Sequence, residues 1–316
     1  GVLAKLLPAD FDLSKLVFGQ SAFVSLSLPG GETVECHVAR GGYTGEDGFE
    51  ISIPPASTEA VAKALLAEAG YRVVAPFMRG YAPSGVPADG NYHVGALVSD
   101  VLDLYDALGG GPDAVLVGHD WGAFAANAVA AYQDSPFAAV VSMSVPPLAA
   151  MSQAKFSPAR TARMGLVQLR MSWYIMYFQL PCLPERTLHR VIPRLWRDWS
   201  PAGTDVAEDV ATTLAALQTP EHRAAAVGYY RALVRPGSVG GPYAEFERYL
   251  RELPCAPILY LHGTDDGAMQ VGYTEQLLTA LPAGSVVRTI DGAGHFLQVD
   301  RPADVAAAIL SYVGRS

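Results

Sequence analysis

Apolar and polar residues alternate in two ways along the chain from residue 71 onward. Short apolar runs rich in β-branched residues alternate with longer stretches whose apolar residues recur at helical spacing. The short runs predict strands at 71–77, 114–117, 138–145, 257–261 and 285–290. The longer stretches predict helices at 94–108, 122–132, 273–281 and 302–313. This alternation predicts an α/β fold whose mostly parallel sheet is covered by helices on both faces.

The segment 149–250 differs from its flanks because it shows helical periodicity but no clear strand. It is rich in arginine and aromatic residues, and it falls between two predicted strands. We therefore predict a helical cap over the carboxyl edge of the sheet. This cap is inserted between a first part of the core at 67–148 and a last part at 251–316. Residues 1–66 form a separate region with atypical strands.

The composition bounds the partners of the chain. Of its 316 residues, 50% are hydrophobic, which permits a sizeable core, and the formal net charge is −9 at pH 7. An acidic chain without a basic stripe is not expected to bind nucleic acid or an anionic membrane surface. No uninterrupted run of about 18 apolar residues is present, so no membrane-spanning segment is predicted.

The three cysteines, Cys36, Cys182 and Cys255, are far apart and lack metal-ligand spacing. Free thiols in a reducing compartment are the simplest interpretation, and we expect a cytoplasmic protein. The chain starts at Gly1 with neither an initiator methionine nor the layout of a signal peptide. We therefore expect it to begin inside a longer ancestral sequence.

Residues 115–123 carry the strongest chemical signal. A predicted strand leads into a small-x-nucleophile-x-small pattern, with Gly118 and Gly122 at its flanks and Asp120 at its centre. Glycines at both flanks let a sharp turn lift the central side chain above the sheet edge. The amino end of the following helix favours negative charge at the same place. Asp120 is therefore predicted to be the nucleophile, with helix capping as the alternative.

An aspartate nucleophile favours a particular chemistry. A carboxylate needs no deprotonation at neutral pH, and it attacks a carbon that bears a leaving group to form an alkyl ester. Strained epoxides and carbon–halogen bonds are suitable electrophiles, and the ester then needs a general base that activates water. His119 could be this base, but it adjoins the nucleophile, so we expect it to point elsewhere and either to support the site residues from behind or to pack in the core.

A candidate base and a candidate carboxylate follow two later predicted strands. His295 lies in a loop after the strand at 285–290, and Asp265 and Asp266 follow the strand at 257–261. Because the carboxyl ends of parallel strands share one edge of a sheet, an aspartate there can hold the histidine in one tautomer. The order nucleophile, acid, histidine is that of the α/β-hydrolase fold.

The motifs of this region resemble those of the epoxide hydrolases over residues 71–316. The resemblance rests on the turn at the nucleophile and on three further runs, at 79–81, 263–266 and 294–298. The register of the second of these runs selects Asp266 rather than Asp265 as the partner of the histidine. Asp265 is then expected to be a solvated turn residue.

The resemblance implies further site residues in the predicted cap. The family places two tyrosines over the nucleophile, where their hydroxyls donate hydrogen bonds to the epoxide oxygen. By resemblance these are Tyr174 and Tyr230, while Tyr177 and Tyr229 are expected to pack the cap onto the core. The resemblance also makes the backbone N–H of Trp121 one donor of an oxyanion hole.

A second oxyanion donor has no counterpart in the sequence. The family supplies it from a His-Gly-x-Pro loop, but the one histidine before residue 71 is His37. Val38 stands in place of the glycine and Arg40 in place of the proline. Arg79 is expected to form a structural ion pair rather than to take part in the chemistry.

Residues 1–66 resemble a middle piece of the aminomethyltransferase of the glycine cleavage system, chiefly over 10–16 and 40–54. In that family a glutamate at the position of Glu50 helps to bind folate. Most of that enzyme is absent here, including the part with its catalytic aspartate, so we expect Glu50 to have no function. The two resemblances meet near 63–70, and we predict a fusion of two sequences.

The fusion has a structural consequence. By resemblance to the hydrolases, a strand that normally lies between those at 71–77 and 114–117 is missing. Its loss leaves backbone groups unpaired unless another segment replaces it. A hairpin is predicted at 23–39, with its turn at 29–31, and it could supply an edge pair.

The sequence thus predicts an enzyme that opens a small hydrophobic epoxide to a diol, with no metal and no organic cofactor. A dehalogenase with the same nucleophile is the first rival hypothesis, since Trp121 could help to bind halide. An inactive hybrid is the second rival hypothesis, and a folate-binding fragment is the third. The sequence leaves the oligomeric state open.

Overall fold

The structure, a computed structural model, describes residues 3–16, 20–28, 31–41, 48–52, 72–235 and 241–314. Contacts along the chain divide it into two compact units, Gly1–Pro76 and Phe77–Ser316. Among the residues described, no helix has the length and apolar character needed to cross a membrane.

The first unit is built on an antiparallel sheet of three strands in chain order. These strands are β1 (Ser21–Ser27), β2 (Thr33–Gly41) and β3 (Gly48–Ser52). β1 and β2 form the hairpin that the sequence predicts, and Val24 lies opposite Cys36. Both side chains are buried, and in β1 they alternate with exposed ones, so one face of the hairpin carries the core of this unit. Residues 29 and 30 of the predicted turn lie outside the described residues.

The second unit contains a parallel sheet of four strands. In order across the sheet they are β4 (Val115–His119), β5 (Ala139–Met143), β6 (Ile258–Gly263) and β7 (Val286–Ile290). Each lies within or overlaps a predicted strand, and the predicted α/β fold with its parallel sheet is confirmed. All residues of β5 and β6 are buried, as expected of central strands that are covered on both faces.

Helices connect these strands and pack on them. The α-helices are α1 (Val94–Ala107), α2 (Trp121–Ala131), α3 (Leu148–Ser152), α4 (Pro158–Met171), α5 (Trp173–Tyr177), α6 (Leu183–Trp199), α7 (Ala207–Ala215), α8 (Pro220–Val234), α9 (Ala244–Glu247), α10 (Leu297–Asp300) and α11 (Pro302–Val313). Short 3-10 helices occur at Leu3–Lys5, Leu13–Lys15, Gly241–Tyr243, Arg248–Arg251, Val271–Thr274 and Leu277–Ala280. Helices α3 to α9 fall between β5 and β6, where the sequence predicts helices without a strand.

The single helix predicted at 273–281 is wrong, because two 3-10 turns, Val271–Thr274 and Leu277–Ala280, occupy this stretch. The side-chain amide of Gln276 lies between the two turns and bonds to both the backbone N–H and the carbonyl of Lys155. This contact with a distant segment favours a backbone shape that apolar spacing alone does not predict.

The buried strand predicted at 71–77 is also wrong. Residue 71 lies outside the described residues, and 72–77 form no strand and are exposed, with 41% of Val73 and 55% of Phe77 accessible. An apolar run becomes a stable strand only where a neighbouring strand pairs with it. Among the described residues β4 pairs only with β5, so the strand that the hydrolase resemblance expects beside β4 is missing there.

Candidate active site

Asp120 occupies a sharp turn between the end of β4 at His119 and the start of α2 at Trp121. Its backbone has φ 50° and ψ −113°, a region that residues with a Cβ rarely adopt. Strain of this kind persists only where the surrounding fold fixes it, and it is frequent at functional sites. The Asp120 side chain makes no capping hydrogen bond to α2, so helix capping does not explain its presence.

Only one of the two flanking glycines is required by space. A Cβ on Gly118 would lie 2.1 Å from the carbonyl oxygen of Gly122 and 2.8 Å from the Cβ of Ala126. The close approach of β4 and α2 therefore needs glycine at position 118. A Cβ on Gly122 would meet no heavy atom within 4 Å, so space does not require glycine at this flank.

The structure brings Asp120, Asp266 and His295 together at the carboxyl ends of β4, β6 and β7. His295 Nδ1 lies 2.9 Å from Asp266 Oδ2, and His295 Nε2 lies 3.5 Å from Asp120 Oδ1. Asp266 is itself held in place, since its Oδ1 accepts hydrogen bonds of 2.7 and 2.9 Å from two backbone N–H groups that follow it. Asp265, the other aspartate of this loop, is exposed.

The charges of these three residues depend on one another. Burial lowers the pKa of His295, but the charge of Asp266 and the contact with Asp120 outweigh it and raise the pKa to about 10. Burial raises the pKa of Asp120, but His295 lowers it below the usual value, and the backbone N–H of Trp121 lowers it further. The pKa of Asp266 is likewise lowered by His295 against the effect of burial. At neutral pH the site therefore holds an imidazolium between two carboxylates.

Two further side chains hold the loop of His295 by its backbone carbonyl. His119 Nε2 lies 2.8 Å from that oxygen, and Ser144 Oγ donates to it at 2.6 Å. A carbonyl only accepts, so Nε2 of His119 carries a proton, and burial lowers the pKa of this histidine to about 4, which leaves its ring neutral. For His119 this contact agrees with the first of the two predicted alternatives, a supporting role behind the site residues. The sequence predicts nothing for Ser144, whose φ is 66°.

Tyr174 on α5 and Tyr230 on α8 lie close enough to Asp120 to respond to its charge. Their rings meet edge to face with centroids 5.5 Å apart, and the Tyr230 ring lies 5.1 Å from that of Trp121. Burial raises the pKa of both hydroxyls, and the negative charge of Asp120 raises it further. Both tyrosines therefore keep their protons at neutral pH and remain hydrogen-bond donors.

The neighbouring polar residues are engaged in structural contacts. Tyr177 OH lies 2.5 Å from Thr187 Oγ1, and Tyr229 OH donates to the backbone carbonyl of Arg79 at 2.7 Å. The guanidinium of Arg79 forms a salt bridge of 2.5 Å with Asp100. The packing predicted for the two tyrosines and the ion pair predicted for the arginine agree with this geometry.

A third tyrosine near the carboxylate is one to which the sequence assigns no role. Tyr81 lines the same cavity as Asp120 and Tyr230, and its pKa is raised by burial and then by the charge of Asp120. It follows Gly80, whose φ of 76° favours glycine and turns the chain at this point. The sequence signal is the run 79–81, which the resemblance matches without giving the tyrosine a task.

A cavity of 150 Å³ is lined by Asp120 and by apolar side chains, most of them from the helices between β5 and β6. Trp196 and Phe296 form part of its wall, with ring centroids 3.7 Å apart and ring planes at 15°. Among the described residues that line it, Asp120 is the only charged one. Such a cavity suits an apolar molecule that presents an electrophilic carbon to the carboxylate.

Some sequence predictions concern side chains that the structure does not describe. Glu50 lies in β3 and His37 in β2, but only their backbones are described. Residues 53–71, which include the predicted join, lie outside the described residues. Within the described ranges, no group of three or more His, Cys, Asp and Glu side chains is arranged to hold a metal ion.

Known proteins of two kinds resemble this chain, and those of the first kind match most of its length. A family described as "Alpha/beta hydrolase family" matches residues 39–308. Epoxide hydrolase A of Mycobacterium tuberculosis is 32% identical over an alignment of 275 residues, which covers 78% of this chain and 83% of that protein. The crystal structure of Epoxide Hydrolase A from Mycobacterium thermoresistibile superposes with a TM-score of 0.59 at 24% identity, over 93% of this chain and 98% of that chain.

A second relative matches a much shorter part. The probable mitochondrial aminomethyltransferase of Schizosaccharomyces pombe is 45% identical over 73 residues, which are 23% of this chain and 17% of that protein. The predicted resemblance of the first residues to an aminomethyltransferase is thereby confirmed. Because so little of that protein is matched, the likeness concerns sequence and not activity.

Proposed function

This chain belongs to the alpha/beta hydrolase family, and we propose that it opens small epoxides to diols through an ester formed on Asp120. The observation that carries the proposal is the position of this carboxylate. It stands on a strained turn beside His295, and its charge reaches the hydroxyls of Tyr174 and Tyr230. Relatives that are named epoxide hydrolases support the choice of electrophile.

Ring opening is the first step. A carboxylate oxygen of Asp120 attacks one epoxide carbon, the carbon–oxygen bond breaks, and its electron pair goes to the epoxide oxygen. Tyr174 and Tyr230 donate hydrogen bonds to this oxygen as negative charge develops, and one phenol proton completes the new hydroxyl. In an apolar cavity with one charged residue, these donors are the main stabilisation of the departing oxygen.

His295 changes its role once the ester has formed. Ester formation removes the charge of Asp120, which is one of the causes that hold the histidine pKa near 10, so that pKa falls. The imidazolium can then return a proton to the tyrosinate left by ring opening. The neutral imidazole accepts a proton from water as this water attacks the ester carbonyl carbon.

The second step restores the resting site. The backbone N–H of Trp121 faces the Asp120 carboxyl and can stabilise the oxyanion of the tetrahedral intermediate. Collapse of this intermediate breaks the ester bond, and the proton of the added hydroxyl passes to the departing alkoxide oxygen. The diol then leaves, and Asp120 is again a carboxylate beside an imidazolium. Asp266 holds the ring of His295 by its Nδ1 throughout, at 2.9 Å in the resting site.

Diol formation from styrene oxide by the purified chain tests the proposal. We expect turnover in the unaltered protein and none in Asp120→Ala, because the attacking carboxylate is gone. Asp265→Ala is the matched control, since it removes an exposed carboxylate from a neighbouring loop. Equal turnover in the two variants would contradict the role of Asp120. No diol from a folded unaltered chain would favour the inactive hybrid.

A dehalogenase remains the second candidate because of one observation at Trp121. Trp121 lines the same cavity as Asp120, and its buried indole Nε1 has no partner at hydrogen-bond distance and angle among the described residues. A buried N–H donor at this place could hold a leaving halide ion. Halide release from 1-chlorobutane without diol formation from epoxides would reverse the assignment.

The helices α3 to α9 are proposed to act as a cap over the site, within the division 149–250. They carry Tyr174 and Tyr230 and most of the cavity lining, so they can keep bulk water from the reacting atoms. Because Cys36, Cys182 and Cys255 are free thiols, we also propose a cytoplasmic location, which cell fractionation can test.

A further inference from the structure

A second cavity adjoins the one that contains Asp120. It is an open groove of 760 Å³ formed by residues of α6, α7 and α8 and of the turn between α7 and α8. Leu188 on α6 and Leu217 after α7 line both this groove and the inner cavity of 150 Å³. A side chain that lines two cavities is the layer between them, so these two leucines form a partition.

The partition is closed, and its side chains can move more easily than the aromatic part of the wall. Leu188 is 2% exposed and Leu217 is 3% exposed. Elsewhere in the wall, Trp196 stacks on Phe296 and donates its indole N–H to Thr213 Oγ1 at 3.2 Å. A leucine can change rotamer without moving the backbone, whereas the stacked and bonded indole cannot leave without moving a helix.

We propose that Leu188 and Leu217 form a gate through which substrate passes from the groove to Asp120. When closed, the gate limits the substrate to epoxides that carry one ring or a short alkyl chain. The choice of ligand rests on the proposed function, but the size limit follows from volume. An engineered apolar cavity of about 150 Å³ in another protein binds benzene, and the inner cavity here has a volume of 150 Å³.

The first experiment compares styrene oxide, which has one ring, with trans-stilbene oxide, which has two. In the unaltered protein we expect kcat/KM to be about 100-fold lower for the two-ring epoxide. Leu188→Ala and Leu217→Ala shorten the partition, so each should raise kcat/KM for stilbene oxide about tenfold. Styrene oxide already fits the inner cavity, so its kcat/KM should rise less than that of stilbene oxide, and the ratio of the two values is the readout.

Two control variants separate a gate from a general loosening of the helices. Leu214 lines the groove but not the inner cavity, so Leu214→Ala should keep the size preference of the unaltered protein. Leu217→Phe enlarges the partition and should lower kcat/KM for styrene oxide. Leu188→Val is the milder variant if alanine prevents folding, and thermal unfolding checks each protein.

A binding experiment tests the gate in a way that does not require catalytic turnover. Benzamide, with one ring, and benzanilide, with two, are titrated while the intrinsic tryptophan fluorescence is followed, to which Trp121, Trp196 and Trp199 of the cavity wall contribute. We expect the unaltered chain to bind only benzamide, and Leu188→Ala to bind both. If no epoxide gives a diol, the proposed function fails while this pattern still supports the gate. Tight binding of benzanilide to the unaltered chain, or an unchanged preference in both alanine variants, would overturn the gate.

Discussion

The three site residues follow strands that differ in how well the sheet supports them. Asp266 follows β6, which lies between two other strands with every residue buried, whereas His295 follows β7, which pairs only with β6 among the described strands. Asp120 follows β4, which pairs only with β5 among the described strands and leaves 44% of Val117 exposed. The carboxylate that orients the base therefore follows a well-supported central strand, whereas the base and the nucleophile follow the two edge strands of the described sheet.

This difference indicates that contacts with nearby segments hold the turn at Asp120, and that it does not need a strand paired on both sides of β4. The Asp120 carbonyl accepts a hydrogen bond of 3.0 Å from Ala123 of α2, and the Asp120 N–H donates to Met143 of β5 at 3.3 Å. The close approach of Gly118 to α2 fixes the turn further. These contacts all come from one side, so the turn can keep its geometry although the strand below it is only half supported.

Replacing the base removes the group that activates water, and it should have the largest effect. In His295→Gln the ester on Asp120 should still form but should not be hydrolysed, so steady diol formation should fall about 1,000-fold. Mass spectrometry of the intact chain during turnover should then find protein heavier by one substrate molecule. His189→Gln, on the exposed face of α6, is the control. Loss of turnover without the heavier species would contradict the role of His295.

Removing one phenol hydroxyl tests whether a residue of the helical insertion takes part in ring opening. Tyr230→Phe should lower kcat by about 100-fold, because one donor to the developing alkoxide is lost. Tyr177→Phe should leave kcat nearly unchanged, since that hydroxyl is engaged with Thr187. Steady-state kinetics with styrene oxide measures both variants. Similar losses in the two would show that the hydroxyls act through packing.

A pair of glycine substitutions tests the support of the nucleophile turn. Gly118→Ala should lower the free energy of unfolding by about 2 kcal/mol through overpacking, because its Cβ would lie 2.1 Å from the carbonyl oxygen of Gly122. Gly122→Ala should raise the free energy of unfolding by up to about 1 kcal/mol, because alanine favours the helix more than glycine does. Urea unfolding measures both changes. Equal destabilisation by both would contradict the packing at this turn.

The smallest effect is expected at the outer edge of the sheet. Val141 in β5 is fully buried, so Val141→Ala should lower the free energy of unfolding by about 2 kcal/mol. Val117 in β4 is exposed, so Val117→Ala should change it by less than about 0.5 kcal/mol. A loss at Val117 as large as that at Val141 would show that this edge is covered in solution.

The three residues Asp120, Asp266 and His295 could be predicted because each carries a local signal. A glycine-flanked turn after a strand marks the first, and loops after later strands mark the other two. The parallel arrangement then brings these loops to one edge of the sheet, whatever the loops contain. Chain order and strand direction predict that an aspartate of 265–266 and the histidine meet the nucleophile, and the register of the family resemblance selects Asp266 over Asp265.

Features that depend on distant contacts could not be predicted. The run 71–77 has the composition of a strand, but pairing depends on a neighbour that the sequence near it does not reveal. Ser144 meets the carbonyl of His295, which lies 151 positions along the chain. The freedom at Gly122 depends on the space around it, which neither spacing nor residue type indicates. For the same reason Tyr81 has no predicted role.

The central claim is that Asp120 forms a covalent ester, and the position of an oxygen label tests it most directly. Enzyme in excess over styrene oxide is allowed one turnover in water enriched in oxygen-18. Because water attacks the ester carbonyl and not the epoxide, the account predicts label in the peptide that contains Asp120 and none in the diol. Label in the diol with none in that peptide would mean that water opens the ring directly, and it would contradict the account.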